Sequence, residues 1–335
     1  MKITYIIRAK GKAFSIERVF NPIIQYVAQH THYQPEVSHA ESDKNVWGNI
    51  WSNIIKYRKK SLQSQICHIT CEVRYCAIFM NSKNTVLTTH DISSISNPKA
   101  PWYARQFAYW ANFYFPLRHI KYHTCISEFT RQELIRKFPW VADKIRVIPD
   151  PLDNSFQYKE KEFNNECPVI LHIGTKANKN LIRVAEALNG ICCHLRIIGV
   201  LSDAQKEALR QNNITYTNVH HISDEDILRE YEQCDIVSFP SLYEGFGMPV
   251  IEAQAIGRPV ITSNIEPMKS VANGAAVYVD PTDVEDIRQA VITLVNHPEE
   301  RNRCVYEGLE NVKRYRPEDI SRQYIELYKE VEQNM

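Results

Sequence analysis

Glycine is scarce in this chain: 10 of 335 residues, against a usual share of about 7%. Each glycine that is kept therefore asks for a backbone reason. No G-x-G-x-x-G follows any strand-like run, which disfavours a dinucleotide-binding dehydrogenase. No apolar run approaches the roughly eighteen residues of a membrane span. The opening MKITYIIRAK also lacks the apolar core and small-residue cleavage site of a signal peptide. These absences predict a cytoplasmic chain, at most peripheral at the inner face of a membrane. Nine cysteines is an odd number, and without an export signal they read as reduced thiols rather than a disulfide framework. Internal repeats and low-complexity tracts are missing too.

What is present fits two domains, since 335 residues can bury two cores of ordinary size. The net charge of +1 hides an asymmetry. Residues 1–150 carry 21 Lys and Arg against 10 Asp and Glu, while residues 151–335 carry 19 against 29. A basic half suits an anionic neighbour: a membrane surface, a phosphate-bearing acceptor or nucleic acid. No nucleic-acid-binding motif is present and the acidic half would be repelled by a phosphate backbone, so no nucleic-acid partner is expected.

Apolar, β-branched runs alternate with helix-period segments, the signature of α/β folds with parallel sheets. Strands are predicted at 3–7, 66–70, 85–89, 122–126 and 145–148, and then at 169–173, 193–198, 235–239, 259–262 and 276–279. Helices are predicted over segments such as 130–138, 180–188 and 224–232. Between the two series, residues 149–168 hold three prolines and no clear period, as a linker would. From Pro317 onward, Ile320, Tyr324, Leu327, Tyr328 and Val331 recur at helical spacing. The expected division is 1–152, 153–316 and a terminal helix over 317–335 that crosses back to the first domain.

Chemistry concentrates in residues 240–252, PSLYEGFGMPVIE. This segment leaves a strand, turns through Gly245 and Gly247, and enters a helix near Pro249. Proline in a first turn pre-sets the backbone, and the amides and dipole at a helix start can receive a phosphate. Glu244 and Glu252 flank the turn and could touch two parts of one ligand; as bare pattern, a surface turn with an exposed helical glutamate fits equally. Gly174 and Gly199 close two other strands, where doubly wound sheets bind ligands.

The 240–252 segment resembles the signature of glycosyltransferase family 4: Glu, Gly-Phe-Gly, an apolar residue, Pro and a second Glu at this spacing. LHIGTKANKNLIRVAEAL, TCISEFTRQEL, IRVIPDPLD and TTHD resemble other parts of that family in the same order, so the likeness spans nearly the whole chain. It implies the GT-B fold, two Rossmann-like doubly wound domains facing across a cleft, with the acceptor domain first and the nucleotide-sugar donor domain second. It implies retaining transfer of a hexose or N-acetylhexosamine from a UDP- or GDP-sugar to a saccharide or lipid-linked acceptor. No metal and no cofactor beyond that co-substrate is expected. Bacterial surface polysaccharide or lipopolysaccharide synthesis is the implied setting.

Carried over by residue, Glu244 would hold hydroxyls of the transferred sugar and Glu252 the ribose, while His90 would lie near the sugar. Amides from Phe246 through Gly247, Met248 and Pro249 to Val250 would contact sugar and diphosphate, which Lys179 would steady. Gly174, Gly245 and Ile222, in the loop 219–223, complete the donor set. The family has an adjacent Arg-Lys pair where this chain has Asn178 and Lys179, so Lys176 could substitute. Its Gly-rich first loop is reduced to RAKGKAFSIE, where Arg8, Lys10, Gly11 and Lys12 could grip an anionic acceptor or simply be solvated.

Other patterns stay open. KYRKK at 56–60 and the aromatic run 102–115 could dock a membrane, or could be a solvated helix face and a packed aromatic core. Cys67, His68, Cys71 and Cys76 lack a second metal-binding element and read as buried structural groups. Rival functions are a nucleotide-sugar epimerase on the same fold, a phosphorylase, or a non-catalytic protein that binds anionic ligands.

Overall fold

The protein is described from a computed structural model covering residues 1–9, 15–41, 46–63, 65–96 and 100–335. Two compact units result: Met1–Asp153 together with Tyr315–Met335, and Asn154–Arg314. Each is built on one six-stranded sheet whose described pairings are all parallel.

The first sheet consists of β1 (Lys2–Ile7), β2 (Gln34–His39), β3 (Ile66–Ile69), β4 (Thr85–Thr89), β5 (Tyr122–Cys125) and β6 (Ile145–Val147), in the order β2-β1-β3-β4-β5-β6. The second consists of β7 (Val169–Ile173), β8 (His194–Ile198), β9 (Tyr216–Val219), β10 (Ile236–Phe239), β11 (Val260–Ser263) and β12 (Val277–Val279), in the order β12-β11-β10-β7-β8-β9. Chain direction across each sheet reverses once, between β1 and β3 in the first and between β7 and β10 in the second. Loops leaving those strand pairs diverge, and ligand crevices form at such reversals.

Ten of the strands fall where the apolar runs predict them. The two that do not are β2 (QPEVSH) and β9 (YTNV), both at sheet edges. An edge strand pairs on one side only and keeps polar residues at the surface, so no apolar run marks it. The segment 154–168 belongs to the second unit and is pinned there. The Asp235 carboxylate accepts from Lys161, from the Asn164 amide at 3.1 Å and from the Val169 amide at 2.7 Å. Arg258 donates to the carbonyl of Lys159 at 2.8 Å.

In the first unit the terminal helix Pro317–Gln333 buries Ile320, Tyr324, Leu327, Tyr328 and Val331 in one cluster with Phe20, Ile23 and Val27 of the helix Ser15–His30. A polar thread runs through this core. Tyr328 Oη lies 2.7 Å from His68 Nδ1, His68 Nε2 lies 2.7 Å from Thr88 Oγ1, and Thr88 Oγ1 lies 2.7 Å from Thr124 Oγ1. Both ring nitrogens of His68 are thus engaged, and Cys67, Cys71 and Cys76 are buried, with burial pushing the Cys71 thiol up to about 11. These are core groups.

Three buried histidines are held neutral. Burial, reinforced by nearby His90, lowers His68 to about 3. Burial lowers His123 to about 4 although its Nε2 donates to the carbonyls of Ile120 and Leu117. Burial and then the Lys179 charge lower His172 to about 4. An unfolded imidazole titrates near its ordinary 6.5, so below that pH the unfolded chain binds more protons than the folded one and stability falls with pH. Urea unfolding is expected to show declining stability from about pH 6.5 to 5, above most carboxylate titration. A flat profile over that window would contradict the assignment.

Candidate functional site

Residues at the carboxyl ends of β7 and β10 come together in a polar cluster of the second unit. Strand β7 ends at Gly174 with φ +89, and a Cβ there would meet Lys179 Cγ at 2.9 Å. Only glycine admits the lysine stem so close to the strand end. The short turn Ala177–Lys179 follows, and Asn180 leaves it with φ +66. Asn180 Nδ2 donates to the carbonyls of Pro240 (3.1 Å) and Pro281 (2.6 Å), fixing this loop to the β10 loop.

Lys179 Nζ reaches Glu244 Oε1 at 2.6 Å and lies 4.4 Å from the centre of the Phe239 ring. Asn178 Nδ2 donates to the same carboxylate oxygen at 3.3 Å and to the Tyr243 carbonyl at 2.9 Å, while the Leu242 amide donates to the Asn178 carbonyl at 2.8 Å. Asn178, which stands where the resembling family has arginine, is therefore a brace between the two loops. Sequence reasoning flagged the position only as a missing charge. Lys176 starts the turn and is exposed.

The helix Met248–Ile256 begins at Gly247, whose φ of +115 is a left-handed cap, with Pro249 in the first turn. Pro249 has no N–H, and the Val250 amide donates to the Gly247 carbonyl at 2.9 Å. Of the expected run of amides, Pro249 offers none and Val250's is already engaged, which leaves an anion fewer donors at the helix start. Phe246 and Val250 bury their side chains, which withdraws those side chains from a ligand. Gly245 precedes them without a positive φ among the described glycines. Glu252 is buried, and its Oε2 accepts from Tyr231 Oη at 2.5 Å; no feature of the motif marks Tyr231. Ile222 is half-buried, just after β9 and two residues before the helix Asp224–Gln233. Gly199, ending β8 with φ +141, would clash with Thr175 if it carried a Cβ.

In the first unit His90 follows β4. Its Nε2 lies 2.9 Å from the Thr70 carbonyl, an acceptor only, so Nε2 carries the proton. Nδ1 lies 3.9 Å from the Asp150 carboxylate. Asp91 accepts from the Ser93 amide at 2.8 Å and orders the turn. Arg8, after β1, is paired with Glu72, after β3, across the reversal of the first sheet. Lys10, Gly11 and Lys12 lie outside the described residues.

Lys179 and Glu244 are each less than one-fifth exposed, so removing either leaves the other poorly solvated. A double-mutant cycle of Lys179→Met and Glu244→Gln, read by urea unfolding, is expected to give a coupling energy of about 1–3 kcal/mol. Strict additivity would show that the pair does not form in solution.

Comparison with known proteins places this geometry. Residues 153–311 match the family model for glycosyl transferases group 1. The O-antigen chain mannosyltransferase B of Escherichia coli is 27% identical over 272 residues, which span 74% of this chain and 70% of that one. Sucrose-phosphate synthase from Thermosynechococcus elongatus superposes with a TM-score of 0.81 at 16% identity, covering 99% of both chains. Anabaena HepE in complex with UDP-glucose superposes with a TM-score of 0.77 at 14% identity, covering 98% of this chain and 100% of that one. Residues 153–311 thus carry the group 1 glycosyltransferase domain, and the chain is a glycosyltransferase with the GT-B fold.

Proposed function

We propose that the enzyme transfers a hexosyl or N-acetylhexosaminyl group from a UDP- or GDP-sugar to a saccharide or lipid-linked acceptor, with retention of anomeric configuration, in surface polysaccharide synthesis. The observation that carries this reading is the Lys179–Glu244 pair, set beside a glycine-capped helix start at the reversal of the second sheet. A relative that is an O-antigen mannosyltransferase favours a mannosyl donor and a polysaccharide product. The fold neighbour solved with UDP-glucose favours a nucleotide diphosphate sugar. The acceptor would be met by the first unit and the donor by the second.

In transfer, the bond from the anomeric carbon to the diphosphate breaks, a bond from that carbon to an acceptor oxygen forms on the same face, and the acceptor hydroxyl's proton passes to the departing diphosphate. Negative charge builds on the departing diphosphate while the sugar becomes oxocarbenium-like, so a fixed cation and a helix start beside the phosphates lower the barrier. Lys179 supplies the first and the turn at Gly247 and Met248 the second. Glu244, released from Lys179 as the phosphates arrive, holds sugar hydroxyls; Glu252 holds the ribose. Ile222 and Gly174 bound the nucleotide, and His90 positions the transferred sugar. No protein nucleophile is invoked. Positive charge from the chain itself takes the place of a metal ion, so transfer is expected to persist in chelator. The same reading keeps the enzyme cytoplasmic, peripheral to an anionic membrane; among the described residues no helix is long and apolar enough to cross one.

A thermal-shift screen against UDP, GDP, ADP, CMP and their sugars tests the donor, since a ligand of the folded state raises its apparent stability. One base is expected to stabilise the protein, and no stabilisation at millimolar concentration would remove the main support. Two variants test the roles. Glu244→Gln is expected to lower transfer about a hundredfold or more while leaving nucleotide affinity largely intact. Lys179→Ala is expected to weaken nucleotide diphosphate more than nucleoside. The reverse pattern in either variant would contradict the assignment.

A further inference from the structure

The tryptophans of this chain are unevenly placed. All five lie between residues 47 and 140. Trp51, Trp102, Trp110 and Trp140 are 36–71% exposed. Tryptophan is highly buried on average, so four at the surface of one unit need a cause. The packed aromatic core that the run 102–115 could have formed is only half realised: Phe113 is buried, but its neighbours on the other side of the helix face outward.

That side is organised by an unusual turn. An α-helix over Trp102–Phe107 passes through a π-helix over Ala108–Tyr114 into an α-helix over Phe115–His119. In an unbroken α-helix, residues five apart point roughly 140° away from one another. Here the Phe115 amide donates to the Trp110 carbonyl, an i to i+5 bond, and the wider turn brings the Trp110 and Phe115 rings to 5.8 Å. Tyr103 and Phe107 extend the exposed stripe toward the N-terminus. A π turn of this kind commonly marks a functional surface.

The stripe has neighbours of the same character. The short helix Arg74–Phe79 packs against both this helical run and the helix Val46–Gln63. It exposes Phe79, and the longer helix exposes Trp51, Ile55 and Leu62. In the second unit, by contrast, large exposed apolar residues such as Val200 and Tyr306 are scattered along the chain, which is ordinary.

Charge identifies the occupant. Residues 46–127 hold ten Lys and Arg against two acids, Glu72 and Asp91. Both acids are engaged within the chain, Glu72 by Arg8 and Asp91 by Ser93. In KYRKK, Lys56 donates to the His39 carbonyl at 2.8 Å and Lys60 to Glu36, which leaves Arg58 and Lys59 exposed on the outer side. Arg118 and Lys121, beyond Phe115, are exposed as well. A second copy docking through this face would set two basic surfaces against each other, which costs free energy. Aromatic rings amid basic side chains with few acids instead match the headgroup level of an anionic bilayer.

We propose that this face of the first unit, centred on Trp102, Trp110 and Phe115, docks on the surface of an anionic lipid bilayer. The proposal deepens the membrane setting of the preceding reading, on which it rests for purpose, bringing the enzyme to a lipid-linked acceptor; its physics stands apart from transfer. Purified protein is sedimented at low salt with vesicles of phosphatidylglycerol and phosphatidylcholine, or of phosphatidylcholine alone, while tryptophan emission is followed. The wild type is expected to bind the anionic vesicles with a blue shift, and at least about tenfold more weakly to the neutral ones. Trp102→Ser, Trp110→Ser and Phe115→Ser together are expected to weaken anionic binding about tenfold or more. Arg118→Glu with Lys121→Glu, which keeps the aromatic stripe, is expected to do the same. Circular dichroism and thermal unfolding check that both variants fold. Wild type that stays in the supernatant, equal binding by the folded variants, or a lipid-free dimer that the aromatic variant dissolves would each overturn docking. Nucleotide diphosphates are titrated into the same wild-type preparation without lipid. Nucleotide binding without vesicle binding overturns docking alone, whereas vesicle binding without nucleotide binding supports docking and counts against the transferase reading.

Discussion

The ion pair between Lys179 and Glu244 bridges the two loops that diverge from the centre of the second sheet. Parallel strands β7 and β10 lie side by side, yet the chain leaves them in opposite directions, so their loops would part without a tie. Gly174 lets the lysine stem lie against the strand end, Asn178 and Asn180 stitch the loops through backbone carbonyls, and Phe239 gives the ammonium an aromatic face. The result is a cation held over the Phe239 ring, whose edge also lies against Gly247 at the helix start. A partly buried pair of this kind adds little net stability over apolar packing. Its value lies in placement: an anion that displaces Glu244 from Lys179 meets an ammonium already positioned and frees a carboxylate to bind something else.

In the first unit the supporting structure comes from the far end of the chain. The terminal helix supplies Tyr328 to His68, which reaches Thr88 two residues before His90. His90 is held from another direction by the Thr70 carbonyl, just after the strand that carries His68. Burial keeps His68 neutral, so the thread transmits packing without adding charge beneath His90. The last turns of the sequence are thereby part of the platform on which a strand-end histidine sits.

Much of this was legible in the sequence. Ten strands announced themselves as apolar runs, because strands covered on both faces are mostly apolar and admit only polar groups that pair within the core. Edge strands β2 and β9 did not, since half their surface meets solvent. The helix start at Gly247 was readable from glycine followed by Pro in the first helical turn, but as a bare pattern it fitted a surface turn equally, and only the family resemblance gave it a ligand. Pairing between Lys179 and Glu244 was not readable: the residues are far apart in sequence, and each looked like a separate ligand contact. Tyr231 against Glu252 and Glu72 against Arg8 were hidden for the same reason, as partners that only topology brings together. The aromatic run was visible as composition, but which side of the helix faced outward depended on a π turn that spacing rules for α-helices do not capture.

The central claim is that Lys179 and Glu244 form the donor site of a nucleotide-sugar transferase. A crystal structure with a non-hydrolysable analogue of the nucleotide sugar that binds most tightly tests it most directly. The account predicts phosphate oxygens within hydrogen-bond distance of Lys179 Nζ and near the start of the helix Met248–Ile256, with Glu244 turned to the sugar and its contact with Lys179 broken. A nucleotide bound elsewhere, or bound with the Lys179–Glu244 pair intact, would contradict it.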